Sequence, residues 1–225
     1  MRASDRAYTA LRDDILSWRL PPGSPLAEVE QSRRLGVSRT PLREALARLA
    51  ADGLARQLGG RGTVVSDVTL EHLDDLFELR LALETAAAAA AARAAARAPD
   101  LSVRFDHLAQ RLVRASATTR GPSAQSTYDV AEELETAIDD AAANPYLARA
   151  LAQLRGHLVR LRRLAADDPA RLRSAASEHA AVARSIAAGD PDLAAAATRL
   201  HLAQAQRSIT DHAAERLQSI ERTPV

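Results

Sequence analysis

The sequence predicts a mainly α-helical chain. An N-terminal winged helix-turn-helix (three helices plus a β-hairpin wing) precedes an all-α antiparallel bundle of six to seven helices. Three observations carry this. Two helical stretches, each closed by a glycine (Gly36 and Gly53), follow one another within residues 27–53 and lead into "LARQLGGRGTVVS". From residue 67 onward every interruption reads as a helix stop or start: "APD", "TTRGPSAQS", "NP", "DDP" and "GDPD". Apolar residues make up 47% of the chain but aromatics only 3%, so the core must be close-packed Leu, Ala, Val and Ile.

Each element has a local reason. In "SDRAYTALRDDILSWRL", Tyr8, Leu11, Ile15 and Leu16 share a helical stripe, and Ser4 is the expected N-cap. "PPG" at 21–23 turns the chain. A short second helix is expected over roughly 27–35, with Gly36 just past its end. Ser38 can cap a third helix whose first turn tolerates Pro41, since the missing N–H has no helical partner there. Leu42, Ala45, Leu46 and Leu49 follow the i, i+3, i+4, i+7 pattern and face a core. "LARQL" and "TVVS" read as the strands of a hairpin around "GGRG". Beyond it, helices are expected over 70–96, 99–116, 125–142, 146–165, 168–188 and 191–218. The alanine blocks have no fixed period and are low-complexity helix.

Two domains follow: 1–66, a winged helix-turn-helix, and 67–225, an all-helical domain joined to it by "SDVTLEH" with no long linker. The net charge of +1 conceals an asymmetry between them. Residues 1–66 hold 11 Arg against 7 acids, and 67–225 hold 19 Arg against 22 acids. A basic module on an acidic body is the arrangement expected of a nucleic-acid binder. There are no cysteines, which excludes disulfides and thiolate metal sites. No apolar run is long enough for a lipid span and no signal peptide is visible, so a cytoplasmic protein with no membrane partner is expected.

On the third helix, Arg39, Thr40, Arg43 and, less centrally, Arg48 lie away from the leucine stripe. That is what a recognition helix needs: its apolar face holds it on the module while its N-terminal residues reach base edges. Arginine presents a planar fork to guanine O6 and N7, or a charge to phosphate. Ser38, Thr40 and the first backbone N–H groups can add phosphate contacts. Arg61, beside Gly60 on the glycine-rich tip, can approach the minor groove or the backbone. A solvated basic face is the alternative for any single arginine, but not for the set in this order.

The run "PPGSPLAE…LGVSRTPLREALARLAADGLA…GGRGTVV" closely resembles the DNA-binding domain of the GntR family of bacterial transcription regulators over about residues 6–66. The resemblance implies that Arg39, Thr40, Arg43, Gly60 and Arg61 match positions that contact operator DNA. It makes Glu28 an acidic position of structural use, and it marks Gln31 and Ser32 as departures from the usual Leu and Ala. "DLFELRLALETAAAAAAA", "AAANPYL", "EHAAVARSIAAGDPDLAAAA" and "RLHLAQA" resemble, more diffusely, the FCD-type effector-binding domain of the FadR-like subfamily. That implies a homodimer whose two heads read palindromic double-stranded operator DNA, and a bundle that takes a small organic acid.

Within the bundle, Arg80 matches an arginine that often faces the cavity, where a guanidinium suits a carboxylate. Its alternative is an i, i+4 structural pair with Glu84. The family's metal pattern, an Asp and three His, is altered: His179 and His201 match, Glu135 replaces a His, and Ala131 replaces the Asp. Glu135, His179 and His201 would leave an open three-ligand site for a divalent ion such as Zn²⁺ or Ni²⁺. The expected function is a ligand-responsive DNA-binding regulator, usually a repressor. A ligand-blind architectural DNA-binding protein and a metal-dependent hydrolase are the alternatives; no P-loop, HExxH, nucleophile elbow or dinucleotide fingerprint favours the latter.

Overall fold

A computed structural model of the chain describes residues 1–59, 62–117, 124–164 and 169–221, with side chains for 1–59, 62–117, 127–161 and 169–211. It divides into two compact units, one of Met1–Thr69 with Arg155–Leu161, the other of Leu70–Leu154 with Arg162–Val225. Helices and a small hairpin are the regular elements of the described residues, as the sequence leads one to expect.

The first unit contains α1 (Ala3–Leu16), α2 (Glu28–Leu35), α3 (Arg39–Ala51), β1 (Ala55–Gln57) and β2 (Thr63–Val65). Its core joins Ala7, Leu11 and Ile15 of α1 to Leu42, Ala45 and Leu49 of α3, with Leu26, Leu54 and Val65 closing the hairpin side. The expected stripe is thus buried. Ser4 lies inside α1 instead of capping it, and Arg2 takes the N-cap place with no side-chain cap bond. Gly36 ends α2 in the left-handed region at φ 62°, and Gly53 follows α3 at φ 69°. Both turns demand a conformation that glycine adopts without Cβ strain. Asp14, buried on α1, accepts from Arg19 Nε at 2.6 Å and pairs with Arg34 of α2 at 2.7 Å. Burial works against its carboxylate, but the two guanidiniums outweigh this and its pKa falls.

β1 and β2 pair antiparallel with Ala55 opposite Val65. A third backbone segment joins them: Pro25 bridges Val64, Leu26 N–H donates to the Thr63 carbonyl at 2.7 Å, and Val65 N–H to that of Ser24 at 2.9 Å. The hairpin is therefore pinned to the approach to α2. Sequence periodicity could not show this, because the pairing uses main-chain groups alone. Gln31, where the family has Leu, is 2% exposed, and its Oε1 accepts from Arg34 Nε at 2.8 Å. The departure is accommodated by a hydrogen bond instead of apolar packing.

The second unit holds α4 (Leu73–Ala95), α5 (Pro99–Ser116), α6 (Ala124–Ala142), the first part of α7 (Pro145–Leu164), α8 (Pro169–Ala187) and α9 (Pro191–Glu221). Its core is built of small residues from α4 (Ala88, Ala91, Ala92) against Phe105, Leu108 and Leu112 of α5 and Ala180, Ala183 and Ile186 of α8. Alanine faces permit close helix approach, which fits the scarcity of aromatics. Asn144 caps α7 by accepting from the N–H groups of Tyr146 and Leu147. Asp190 does the same for α9 through Asp192 and Leu193. Residues 155–161 of α7 belong to the first unit, a division that helix periodicity does not reveal.

Candidate functional site

In the first unit the presentation of α3 follows from its burial pattern. Leu42, Ala45, Leu46 and Leu49 are buried, so Ser38, Arg39, Thr40, Arg43 and Arg48 are left on the exposed side. Ser38 occupies the N-cap place without a side-chain cap bond. The N–H groups of the first turn and the Ser38 hydroxyl thus stand open to an anion such as a phosphate.

The arginines of this face differ in their partners. The Nε–H of Arg43 donates to both carboxylate oxygens of Glu28, each at 2.9 Å. This bond drives the Glu28 pKa down and that of Arg43 up, with the nearby Arg39 charge a lesser influence on Glu28. Arg48 pairs with Asp5 of α1 at 2.8 Å and lies 4.1 Å over the Tyr8 ring. It therefore holds α3 to α1. At the wing, Leu58 N–H donates to the Gly62 carbonyl at 2.9 Å, with Gly59 and Gly62 both at positive φ. Gly60 and Arg61, the predicted tip contacts, lie outside the described residues.

In the second unit, Arg80 is 2% exposed. Its Nε donates to Glu84 Oε1 at 2.7 Å, and its guanidinium lies 4.7 Å from the Phe77 ring centre. The i, i+4 pair weighed from sequence is thus present. His179 on α8 and His201 on α9 come together, with ring centres 4.2 Å apart. His201 Nδ1 lies 2.8 Å from Glu178 Oε2, and Glu178 is also gripped by both terminal nitrogens of Arg171 at 2.6 and 3.1 Å. The carboxylate orients the His201 ring with Nδ1–H toward itself.

Two ties set the level of Arg80 relative to this cluster. Gln206 of α9 donates to Asp74 of α4 at 2.8 Å, and Gly189, just before α9, abuts Ala96, just after α4. The two helices therefore run antiparallel, and counting inward from either tie brings Arg80 level with residues 200–205 of α9. Sequence distance hides that Arg80 and His201 fall at about the same level of α4 and α9.

The metal expectation fares differently. Among the described residues no three His, Cys, Asp or Glu side chains gather in a group able to hold an ion. Ala131, 3% exposed, offers only a methyl where the family motif has a carboxylate. His179 and His201 supply two imidazoles, where a resident zinc is usually held by three protein ligands. The signal that sequence reasoning missed is Glu178, adjacent to His179, whose i, i+7 partner Arg171 is two helical turns away.

The family model described as "Bacterial regulatory proteins, gntR family" matches residues 3–65, and that of the FCD domain matches residues 75–204. An HTH-type transcriptional regulator of Agrobacterium vitis is 44% identical over 82 residues, which is 36% of this chain and about half, 48%, of that protein. A protein of Paenarthrobacter nicotinovorans, described as "Probable D-xylose utilization operon transcriptional repressor", is 33% identical over 190 residues, 84% of this chain and 81% of its own length. Among solved structures, E. coli McbR/YncC superposes with a TM-score of 0.77 at 22% identity, covering 94% of this chain and 98% of that one. A GntR transcriptional regulator from Rhodococcus sp. RHA1 gives 0.67 at 21% identity, covering 92% and 97%. At those identities the likeness speaks for the fold. No helix among the described residues is long and apolar enough to cross a membrane.

Proposed function

This chain belongs to the gntR family of bacterial regulatory proteins and carries that family's FCD domain, and from that premise we propose how its residues divide the work. It is a DNA-binding transcriptional regulator and not an enzyme, with an effector-binding helical domain and relatives named as repressors. Residues 1–66 form the reading head and residues 67–225 the effector and dimerisation domain. Two heads of a homodimer bind a palindromic operator in the cytoplasm and act as a repressor. Arg39 and Arg43 reach base edges in the major groove. Ser38, Thr40 and the first turn of α3 bind phosphates, and Gly60 and Arg61 approach the flanking groove. Arg48, paired with Asp5, steadies the helix against α1.

The observation that carries the head assignment is the open first turn of α3 beside an exposed Arg39, Thr40 and Arg43. Phosphate contacts set register and base contacts set sequence, and this face offers both. Arg43→Ala should lose its preferred duplex by about 1–3 kcal/mol per half-site while retaining the fold. Binding of variant and wild type to a duplex selected from a random library, at matched salt, tests this. Equal affinity of the two would remove Arg43 from the reading face.

For the bundle, we propose a small organic acid as effector, received by the Arg80 guanidinium with His201 and His179 at the same level. A ligand that binds one arrangement of the regulator more tightly shifts its affinity for DNA by that difference. This proposal needs no metal step. A thermal-shift screen of metal-free protein against mono- and dicarboxylates tests it. Stabilisation should appear for one class of acid and vanish in Arg80→Met.

A further inference from the structure

We infer that Glu28 is a positioning residue for sequence reading: it holds Arg43 by Nε so that the two terminal nitrogens face the DNA. The inference rests on the proposed reading role of Arg43 and adds a second residue, on a different helix, to base recognition.

The geometry is specific. Glu28 is the first residue of α2, and Arg43 lies 15 residues later on the exposed side of α3. Both carboxylate oxygens converge on the single Nε–H at 2.9 Å, so the carboxylate caps the side of the guanidinium and not its end. A guanine is recognised through O6 and N7 by a fork of two donors. With Nε already engaged, the end-on pair Nη1 and Nη2 is the fork that remains, and its plane is fixed by the carboxylate. An arginine held in one geometry loses less side-chain freedom on binding than one sampling many rotamers. Glu28 thereby contributes to affinity only where a guanine is present to meet the fork.

Charge alone predicts the opposite. A carboxylate close to a phosphate-lined groove repels DNA, and its removal should strengthen binding to every sequence. The two effects have opposite signs on specific DNA, which makes them separable. Position also explains why an acid stands on a face that must meet a polyanion: paired to Arg43, it leaves its charge largely compensated.

The full-length protein is used to select a preferred duplex from a randomised library. That duplex and a scrambled one of equal length then serve as probes for wild type, Glu28→Ala, Glu28→Gln, Arg43→Ala and the Glu28→Ala/Arg43→Ala double variant. Glu28→Ala should bind the selected duplex about tenfold more weakly, corresponding to one well-placed contact, and the scrambled duplex equally or more tightly. Glu28→Gln, whose amide oxygen still accepts from Nε–H, should recover most of the loss. The double variant should match Arg43→Ala, because a positioning residue has nothing to position once the arginine is gone. If Glu28→Ala binds the selected duplex as well as or better than wild type while Arg43→Ala loses it, the positioning role is overturned and the reading role of Arg43 stands. If Arg43→Ala also binds normally, the reading face itself is wrong. Equal circular dichroism and melting for the variants exclude misfolding of the head as the cause.

Discussion

The hydroxyl of Tyr8 donates to the Asp52 carboxylate at 2.6 Å, while the Arg48 guanidinium lies over the ring, 4.1 Å from its centre. One side chain of α1 thus fastens both the last turn and the end of α3, the helix proposed to read DNA. Burial and the Asp52 carboxylate together raise the Tyr8 pKa. Recognition requires that α3 not rock on its module, because a base contact depends on sub-ångström placement.

Tyr8→Phe removes the hydrogen bond and keeps the ring. It should cost about 1 kcal/mol of stability, typical of a partly exposed bond to a charged acceptor. Arg48→Ala should likewise lower the denaturation midpoint, without altering which duplex is preferred. Urea titration and binding to the selected duplex check both. If Arg48→Ala keeps its stability and loses sequence preference, Arg48 touches DNA directly.

Gly53 stands at φ 69°, and a Cβ there would lie 2.8 Å from His157 Cε1. Gly53→Ala therefore meets both left-handed backbone strain, about 1–2 kcal/mol, and a steric clash. Pairing it with His157→Ala should relieve the clash and not the strain, so the double variant should recover only part of the lost stability. Full recovery would mean that the backbone accepts alanine freely.

The opposite substitution should stabilise. Ala143, just past α6, is held at φ 50°, a conformation that alanine adopts at a cost and glycine does not. Ala143→Gly should gain a few tenths to about 1 kcal/mol, the strain relieved exceeding the entropy that glycine adds to the unfolded chain. A lower melting temperature would show that the left-handed turn is not strained.

These two positions also show where sequence reading succeeds and stops. Gly36 and Gly53 are legible because left-handed helix ends favour glycine, whereas Ala143 is invisible because its type argues for continued helix. The leucine stripe of α3 locates the core and, by exclusion, the arginine face. Three features escape it for one reason, that each depends on contacts remote in sequence: the Pro25–Val64 bridge, the grip of Glu28 on Arg43, and the inclusion of residues 155–161 in the first unit. In the bundle, the family resemblance picks out the histidine pair, but the Glu178 carboxylate at His201 Nδ1 is not among the residues it singles out.

A pH dependence should follow from His157. Burial lowers its pKa below 6.5, assisted by the Arg160 charge and opposed by Asp52 through a backbone hydrogen bond and its charge. Arg160 is itself buried, donates to the Ser66 carbonyl, and has its pKa pulled down to about 10 by desolvation. With the folded pKa depressed, the unfolded chain binds the extra proton first. The contribution is therefore fully present above pH 6.5 and is lost as pH falls from 6.5 through the lowered value. Denaturation midpoints between about pH 7.5 and 5 should fall for wild type and fall less for His157→Gln. Parallel curves for the two would show that His157 titrates alike in both states.

The last prediction concerns the ion. An ion here would call on the His179 and His201 imidazoles, but the carboxylate of Glu178 is turned to His201 Nδ1 and held there by Arg171. It orients a ligand and is not one. Releasing Glu178 to serve as a third ligand would break two charge-assisted bonds to Arg171 among side chains that are mostly buried, a loss of several kcal/mol. Chelated protein should therefore melt at the same temperature with and without added Zn²⁺ or Ni²⁺ at micromolar excess, whereas an acid effector should raise it in either condition. His201→Ala should weaken the response to the acid, and Glu178→Gln should weaken it less, since the amide can still accept from Nδ1–H. A several-degree gain on adding metal alone, abolished in His179→Ala, would show that Glu178 or Glu135 swings in to complete a true metal centre.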